Sequence, residues 1–278
     1  MKILNETITS RNNSTVKWAA SLSTKKGRDE SKSFIAEGAK LTFEAIEANL
    51  PVTHIFIAES KKETYIEKIN NSALKADDNN TEIIVVSDGA FDKISTEKAP
   101  QGIISVIKYL DFFRETDIIY KEEFFLSANE RALILCSIRD PGNLGAIIRS
   151  AVAFGVDHII LTADSADLYN SKTVRSAMGS LFRVKSTIVS DINSCVNLLR
   201  ECGRRVFAAE LSDNAVSLAD VGLLSSDVFV IGNEGHGIPT ELSSACDGSV
   251  YIPISKKTES LNASIAAAIF MWEQGKLV

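Results

Sequence analysis

The chain has 278 residues, of which 45% are hydrophobic and 24% charged, with a formal net charge of −6. That balance suits a globular protein of two modest domains or one large one; it excludes disordered and fibrous classes and argues against indiscriminate polyanion binding. Lys2 is followed by polar residues and Glu6 rather than by an apolar signal core. The longest apolar stretch, 261–272, is too short to span a bilayer and carries Asn262 and Ser264, so a cytoplasmic chain with no membrane partner is expected. The four cysteines (Cys136, Cys195, Cys202, Cys246) form no C-x-x-C pair and the three histidines (His54, His158, His236) are scattered. Reduced thiols and no metal site are expected.

In residues 1–28, Lys2, Arg11, Lys17, Lys25, Lys26 and Arg28 face only Glu6, a net charge of +5 on an acidic chain. A local anionic contact such as nucleic acid, or a solvated basic terminus, would account for it. The later part of 33–50 has helical spacing, closed by Pro51. Strands are expected at 53–58, 82–87 and 101–109, with helices at 65–76 and 88–96. This makes a small α/β domain, taken here as 1–109. Residues 110–130 are charged with isolated aromatics and no clear period, and read as a connection between domains.

From 131 to the end a second alternation begins. Short β-rich runs at 132–138, 158–162, 186–190, 205–211, 227–232 and 249–254 have helical patterns between most of them. The pattern predicts an α/β domain with a largely parallel sheet covered on both faces, whose ligands sit at the carboxyl ends of the strands. Three of those ends stand out. "RDPGNLGAIIRSAVAFG" starts with turn formers. Asn143 reads as an N-cap, and Arg149 shares a helical face with Gly145, Ala146, Val152 and Ala153 but has no counter-charge on that helix. A buried structural ion pair or an anionic ligand would each explain it. "VFVIGNEGHGIP" has glycines that allow close backbone approach, and it is neither a Walker loop nor a dinucleotide fingerprint. "VYIPISKKTESLNASIAAAIFMW" crowds Ser260, Asn262 and Ser264 at the entry to a helix expected to begin near Ser260. None of the three has triad, paired-carboxylate or metal spacing.

In order, "NLGAIIR" (143–149), "IGNEGHG" (231–237) and "IPISKKTESLNASIAAAI" (252–269) resemble the three signature motifs of the SpoU/TrmH family of RNA 2′-O-ribose methyltransferases. "SRNN" (10–13), "FIAEGAKL" (34–41) and "PQGI" (100–103) are similar, more loosely, to the ribosomal-protein-like RNA-binding domain that many members carry. The resemblance implies an α/β fold with a deep trefoil knot, S-adenosylmethionine as methyl donor, a homodimer with the site near the subunit interface, and RNA as substrate, most similarly 23S rRNA. It implies Arg149, Asn143, Glu234, Ser260 and Asn262 as catalytic or motif polar residues. Ile231, Gly232, Asn233, Gly237, Ile252, Ser260, Leu261 and Asn262 are implied as cofactor contacts. "KTVRSAMGS" (172–180) resembles a further family segment. Arg175 within it joins Arg11, Lys17, Lys25, Lys26 and Arg28 as expected RNA contacts. The alternatives are the same chemistry on tRNA, or an RNA- or ribosome-binding protein that keeps the fold without catalysis.

Overall fold

The computed structural model describes residues 2–3, 6–71, 81–110, 113–116, 130–233 and 235–276. In the first part of the chain the elements are β1 (Lys2–Ile3), α1 (Ser14–Ser21), α2 (Lys25–Ser31), β2 (Ser33–Glu37), α3 (Ala39–Glu47), β3 (Val52–Ala58), α4 (Lys62–Asn71), β4 (Glu82–Val86), α5 (Asp88–Ile94) and β5 (Ile103–Lys108). Next come β6 (Phe113–Thr116), β7 (Ala132–Leu135), α6 (Pro141–Ala153), β8 (His158–Thr162), α7 (Ser171–Ala177), β9 (Lys185–Val189) and α8 (Ile192–Glu201). The chain continues with β10 (Val206–Ala209), β11 (Val216–Ser217), β12 (Val228–Ile231), α9 (Thr240–Ala245), β13 (Gly248–Tyr251) and α10 (Ala263–Gly275).

These elements form two units: Met1–Leu110 with Asp167–Phe182, and Asp111–Ala166 with Arg183–Val278. The first unit holds a five-stranded sheet ordered β1-β4-β3-β5-β2. In it β5 runs antiparallel to both β3 and β2, while β1, β3 and β4 are parallel. Phe56, Ile84, Val86, Ile104 and Val106 pack on one face against Val16, Ala19 and Leu22 of α1 and Ala90, Phe91 and Ile94 of α5. Helices α3 and α4 pack against strands of the same sheet. Strand β2 occupies the start of the stretch whose later part has helical spacing. All five of its residues are buried, so it shows no period-2 alternation. Gly38, at φ 105°, then breaks the strand and opens α3.

Asp167–Phe182 joins this unit although it lies between β8 and β9 in sequence. Tyr169 stacks on both Phe34 and Tyr109, with centroids 4.4 and 4.3 Å apart. Its hydroxyl accepts from the Leu110 amide at 2.9 Å. Arg28 Nη2 pairs with Asp167 Oδ2 at 2.5 Å.

The second unit is an eight-stranded sheet ordered β11-β13-β10-β12-β7-β8-β9-β6, parallel at every pairing. Ala132, Ile134, Val206, Ala208, Val228 and Val230 face one layer with Val196 and Leu199 of α8 and Leu242 of α9. Alternate residues such as Phe229 face the other way, where Phe270 of α10 sits 4.7 Å from it, centroid to centroid. The expectation of a mostly parallel sheet covered on both faces therefore holds. Strand β6 falls within 110–130, the stretch read from sequence as a connection; residues 117–129 lie outside the described residues.

Candidate active site

The three motifs follow the carboxyl ends of β7, β12 and β13, all in the second unit, with Arg149 further along α6. After β7 the chain turns at Asp140, whose Oδ1 accepts from the Asn143 amide at 2.9 Å, with Pro141 at the first helical position. Asp140, not Asn143, is therefore the N-cap of α6. The cap lies one turn earlier than expected, and Asn143 keeps its side chain for another partner. That partner is Asn262: its Nδ2 donates to Asn143 Oδ1 at 3.1 Å. Asn262 also caps α10, with Oδ1 accepting from the Ser264 amide at 2.9 Å and the Ser264 hydroxyl at 2.6 Å. The helix thus begins at Ala263, later than the expected start near Ser260, and Ser260 stays exposed in the preceding loop.

The loop after β12 is closed by its own backbone. Asn233 and Gly237 exchange hydrogen bonds of 3.2 and 2.9 Å, and Asn233 Oδ1 accepts from the Gly235 and His236 amides at 2.8 and 3.3 Å. Gly232 makes this closure possible. A β-carbon there would lie 2.6 Å from the Gly237 carbonyl carbon and 2.8 Å from Ile238 Cγ1. Asn233 Nδ2 donates to the Ser137 carbonyl at 2.8 Å, tying this loop to the end of β7. Ile231 is buried at the end of β12, Ile252 and Leu261 are half-buried, and Glu234 lies outside the described residues.

Arg149 is exposed on α6, and among the described residues its side chain makes no hydrogen bond or ion pair. The buried structural ion pair, one of two accounts open from sequence, is thereby removed. Its helix packs along α10, and Phe154 meets Trp272 edge-on at 5.7 Å.

Comparison with known proteins decides what this arrangement is. Residues 130–272 match the model of the SpoU rRNA Methylase family, and residues 13–105 match that of an MRM3-like substrate binding domain. The chain belongs to the SpoU rRNA methylase family. Among its relatives is the Bacillus subtilis (strain 168) 23S rRNA (guanosine(2553)-2′-O)-methyltransferase RlmP. It is 31% identical over 265 residues, covering 95% of this chain and 97% of the relative. An rRNA methyltransferase from Sinorhizobium meliloti, 27% identical, superposes with a TM-score of 0.81 over 99% of this chain and 98% of its own. Its AdoMet-bound structure gives 0.79 with the same coverage.

In this SpoU-family RNA methyltransferase the motif residues are brought together unequally. Asn143 and Asn262 touch directly, and the Asn233 loop is tied to the same end of the sheet through Ser137, just beyond β7. Ser260 and Arg149 form no hydrogen bond to either among the described residues. The donor set fits a ligand held mainly by main-chain groups. The β12 loop is nearly free of side-chain bulk at Gly232, Gly235 and Gly237. Ile254 and Leu261 form no hydrogen bond among the described residues, leaving their peptide groups available. Among the described residues no cluster of His, Cys, Asp or Glu could hold a metal ion, and no helix is long and apolar enough to cross a membrane.

The expected RNA contacts divide. Arg11, Lys17, Lys25 and Lys26 are exposed on the first unit. Arg28 is not: it is only 2% exposed, paired with Asp167, and its Nη1 donates to the Leu22 and Ser23 carbonyls at 2.9 and 3.0 Å. The reading of Arg28 as an RNA contact is corrected to a buried fastener, because Gly27 and Arg28 form the inward side of α2. Arg175 is also engaged, with Glu97 at 2.5 Å and the Thr96 hydroxyl at 2.7 Å. Sequence reading missed Ser137, Thr162 and Asp164, which meet at the ends of β7 and β8. Nothing in a Ser, a Thr and an Asp separated by up to 27 positions announces their proximity.

Proposed function

We propose that this enzyme methylates a ribose 2′-hydroxyl of 23S rRNA in the cytoplasm. The observation that carries this reading is the end-to-end match of the chain to RlmP, whose name states that reaction. The methyl donor is S-adenosylmethionine, which supplies an electrophilic methyl group when bound. The glycine loop 232–237 and the segment 252–262 would hold it, with Ile231, Gly232, Asn233, Gly237, Ile252, Leu261 and Asn262 as contacts. The four free cysteines suit a reducing compartment.

A ribose hydroxyl is a weak nucleophile, and its barrier falls when negative charge developing on the oxygen is stabilised. Arg149 is the group for that task. Arginine carries a delocalised positive charge, and this one is exposed with no described protein partner to give up. The Asn143–Asn262 hydrogen bond positions the two motif loops, and the exposed Ser260 would line the approach. The 2′-oxygen would bond to the methyl carbon as the donor's methyl–sulfur bond breaks, the donor leaving as its neutral thioether and the hydroxyl proton passing to solvent water. Arg11, Lys17, Lys25 and Lys26 would contact RNA phosphates. The active form is a homodimer: α10 is apolar nearly all round, yet Ile265 and Trp272 are each 52% exposed. We also read the second unit as trefoil-knotted. Its family membership supports this, and single-molecule pulling should give a contour length shorter than that of the extended chain.

The test is methyl transfer from labelled S-adenosylmethionine to total RNA, with the product mapped by its alkali-resistant backbone step. Label in 23S rRNA at such a step is the expected result; label confined to tRNA or to a base overturns the substrate or the target atom. Arg149→Ala should lower kcat by about 10²–10³-fold with an unchanged Tm. Normal turnover would remove Arg149 from the chemistry.

A further inference from the structure

We propose that Asp164 is a positioning residue for the loop between β12 and α9, acting through Ser137 and Asn233. The proposal rests on the reading that this loop holds the methyl donor.

The starting point is backbone strain. Ser137 lies just beyond β7 at φ 56°, in the left-handed region that residues with a β-carbon avoid. Such a conformation persists only where the surroundings hold it. All three polar groups of Ser137 are engaged. Its amide donates to Thr162 Oγ1 at 2.8 Å, its hydroxyl donates to Asp164 Oδ2 at 2.7 Å, and its carbonyl accepts from Asn233 Nδ2 at 2.8 Å. Two of those interactions lead back to Asp164, because Thr162 Oγ1 donates in turn to Asp164 Oδ1 at 2.7 Å. Arg139 Nη2 adds a third donor, 3.3 Å from Oδ2.

Asp164 therefore accepts from two hydroxyls and a guanidinium, which is the work of an ionised carboxylate. Partial burial opposes that charge. The hydrogen bonds from Thr162, Ser137 and Arg139 together outweigh it and hold the carboxyl below the usual aspartate value. From Ser137 the chain of interactions runs outward. The direction of the Ser137 carbonyl follows from its backbone angles, and Asn233 hangs on that carbonyl. Asn233 also organises the loop, accepting from the Gly235 and His236 amides and pairing with Gly237. Without the carboxylate, the Ser137 hydroxyl loses its acceptor and the residue can relax toward the right-handed region. Its carbonyl then turns off Asn233, and the loop loses its tether to β7.

The test compares full-length wild type with Asp164→Ala by calorimetric titration with S-adenosylmethionine. The expected loss is about five- to tenfold in Kd, with KM for the donor rising more than kcat falls. Glycine takes a φ of 56° without a clamp, so in a Ser137→Gly background Asp164→Ala should change Kd by less than about twofold. Equal losses in both backgrounds, or an unchanged Kd in the single variant, overturn the proposal. If Asp164→Ala does not fold, Asp164→Asn removes the charge and one acceptor at the same volume and must show a loss in the same direction and the same rescue. Gly232→Ala tests the underlying reading separately. If that variant binds the donor normally, the loop is not the donor site, whatever Asp164 does.

Discussion

Replacing Arg28 by methionine separates a fastener from an RNA contact. Methionine keeps most of the apolar stem and removes the guanidinium. The substitution abolishes the 2.5 Å pair with Asp167, together with donation to the Leu22 and Ser23 carbonyls at 2.9 and 3.0 Å. The side chain of Arg28 is 3% exposed and that of Asp167 19%, so solvent cannot replace these interactions fully. Breaking such a pair from one side costs about 3–5 kcal/mol. Arg28 Nε is buried with no partner, a penalty that methionine relieves, which places the net cost near the lower end, about 3 kcal/mol. The corresponding drop in Tm is on the order of 10 °C, read by calorimetry or circular dichroism. The double variant Arg28→Met/Asp167→Asn should recover part of the loss, because the orphaned charge is gone. A stable Arg28→Met that only weakens RNA binding would refute the reasoning and restore Arg28 to the RNA surface.

The exposed lysines should behave in the opposite way. Substituting Lys17, Lys25 and Lys26 with Gln should leave Tm within about 2 °C while weakening RNA binding and reducing the slope of log K against log salt by about 0.7–0.9 for each phosphate no longer neutralised. Gly232→Ala places a β-carbon 2.6 Å from the Gly237 backbone; affinity for S-adenosylmethionine, measured by titration, should fall at least about tenfold. Thiol titration with Ellman's reagent near neutral pH should show one fast-reacting cysteine, the exposed Cys202. Burial pushes the Cys195 and Cys246 thiols up to about 12 and raises that of Cys136 as well. A second fast thiol would mean that one of these environments opens in solution.

The parallel sheet and the three motif-bearing strand ends were legible because buried parallel strands appear as continuous apolar runs and glycine-rich loops punctuate them. Finer features were lost where two local solutions compete. Asp140 and Asn143 are both good caps, and only the Asn143–Asn262 bond decides between them. The strand at 33–37 is buried on both faces and gives no alternation to read. Arg28 and Lys26 sit in one basic run, and no local rule says which side chain turns inward when the partner, Asp167, is 139 residues away. The strain at Ser137 is invisible for a related reason. Serine gives no hint of a left-handed backbone, since its cause lies in Thr162, Asp164 and Asn233.

The excursion of Asp167–Phe182 bears on how the protein can be made and cut. The first unit is discontinuous in sequence, so a ribosome that has released residues 1–110 has not yet supplied the partner of Arg28 or the ring that lies on Phe34 and Tyr109. The unit can close only after β7, α6 and β8 have emerged, so the two units mature as interleaved rather than successive folding events. A fragment ending near residue 109 would carry a buried cation without its counter-ion and two uncovered aromatic faces. A chimaera that borrows this unit should borrow the 167–182 segment with it.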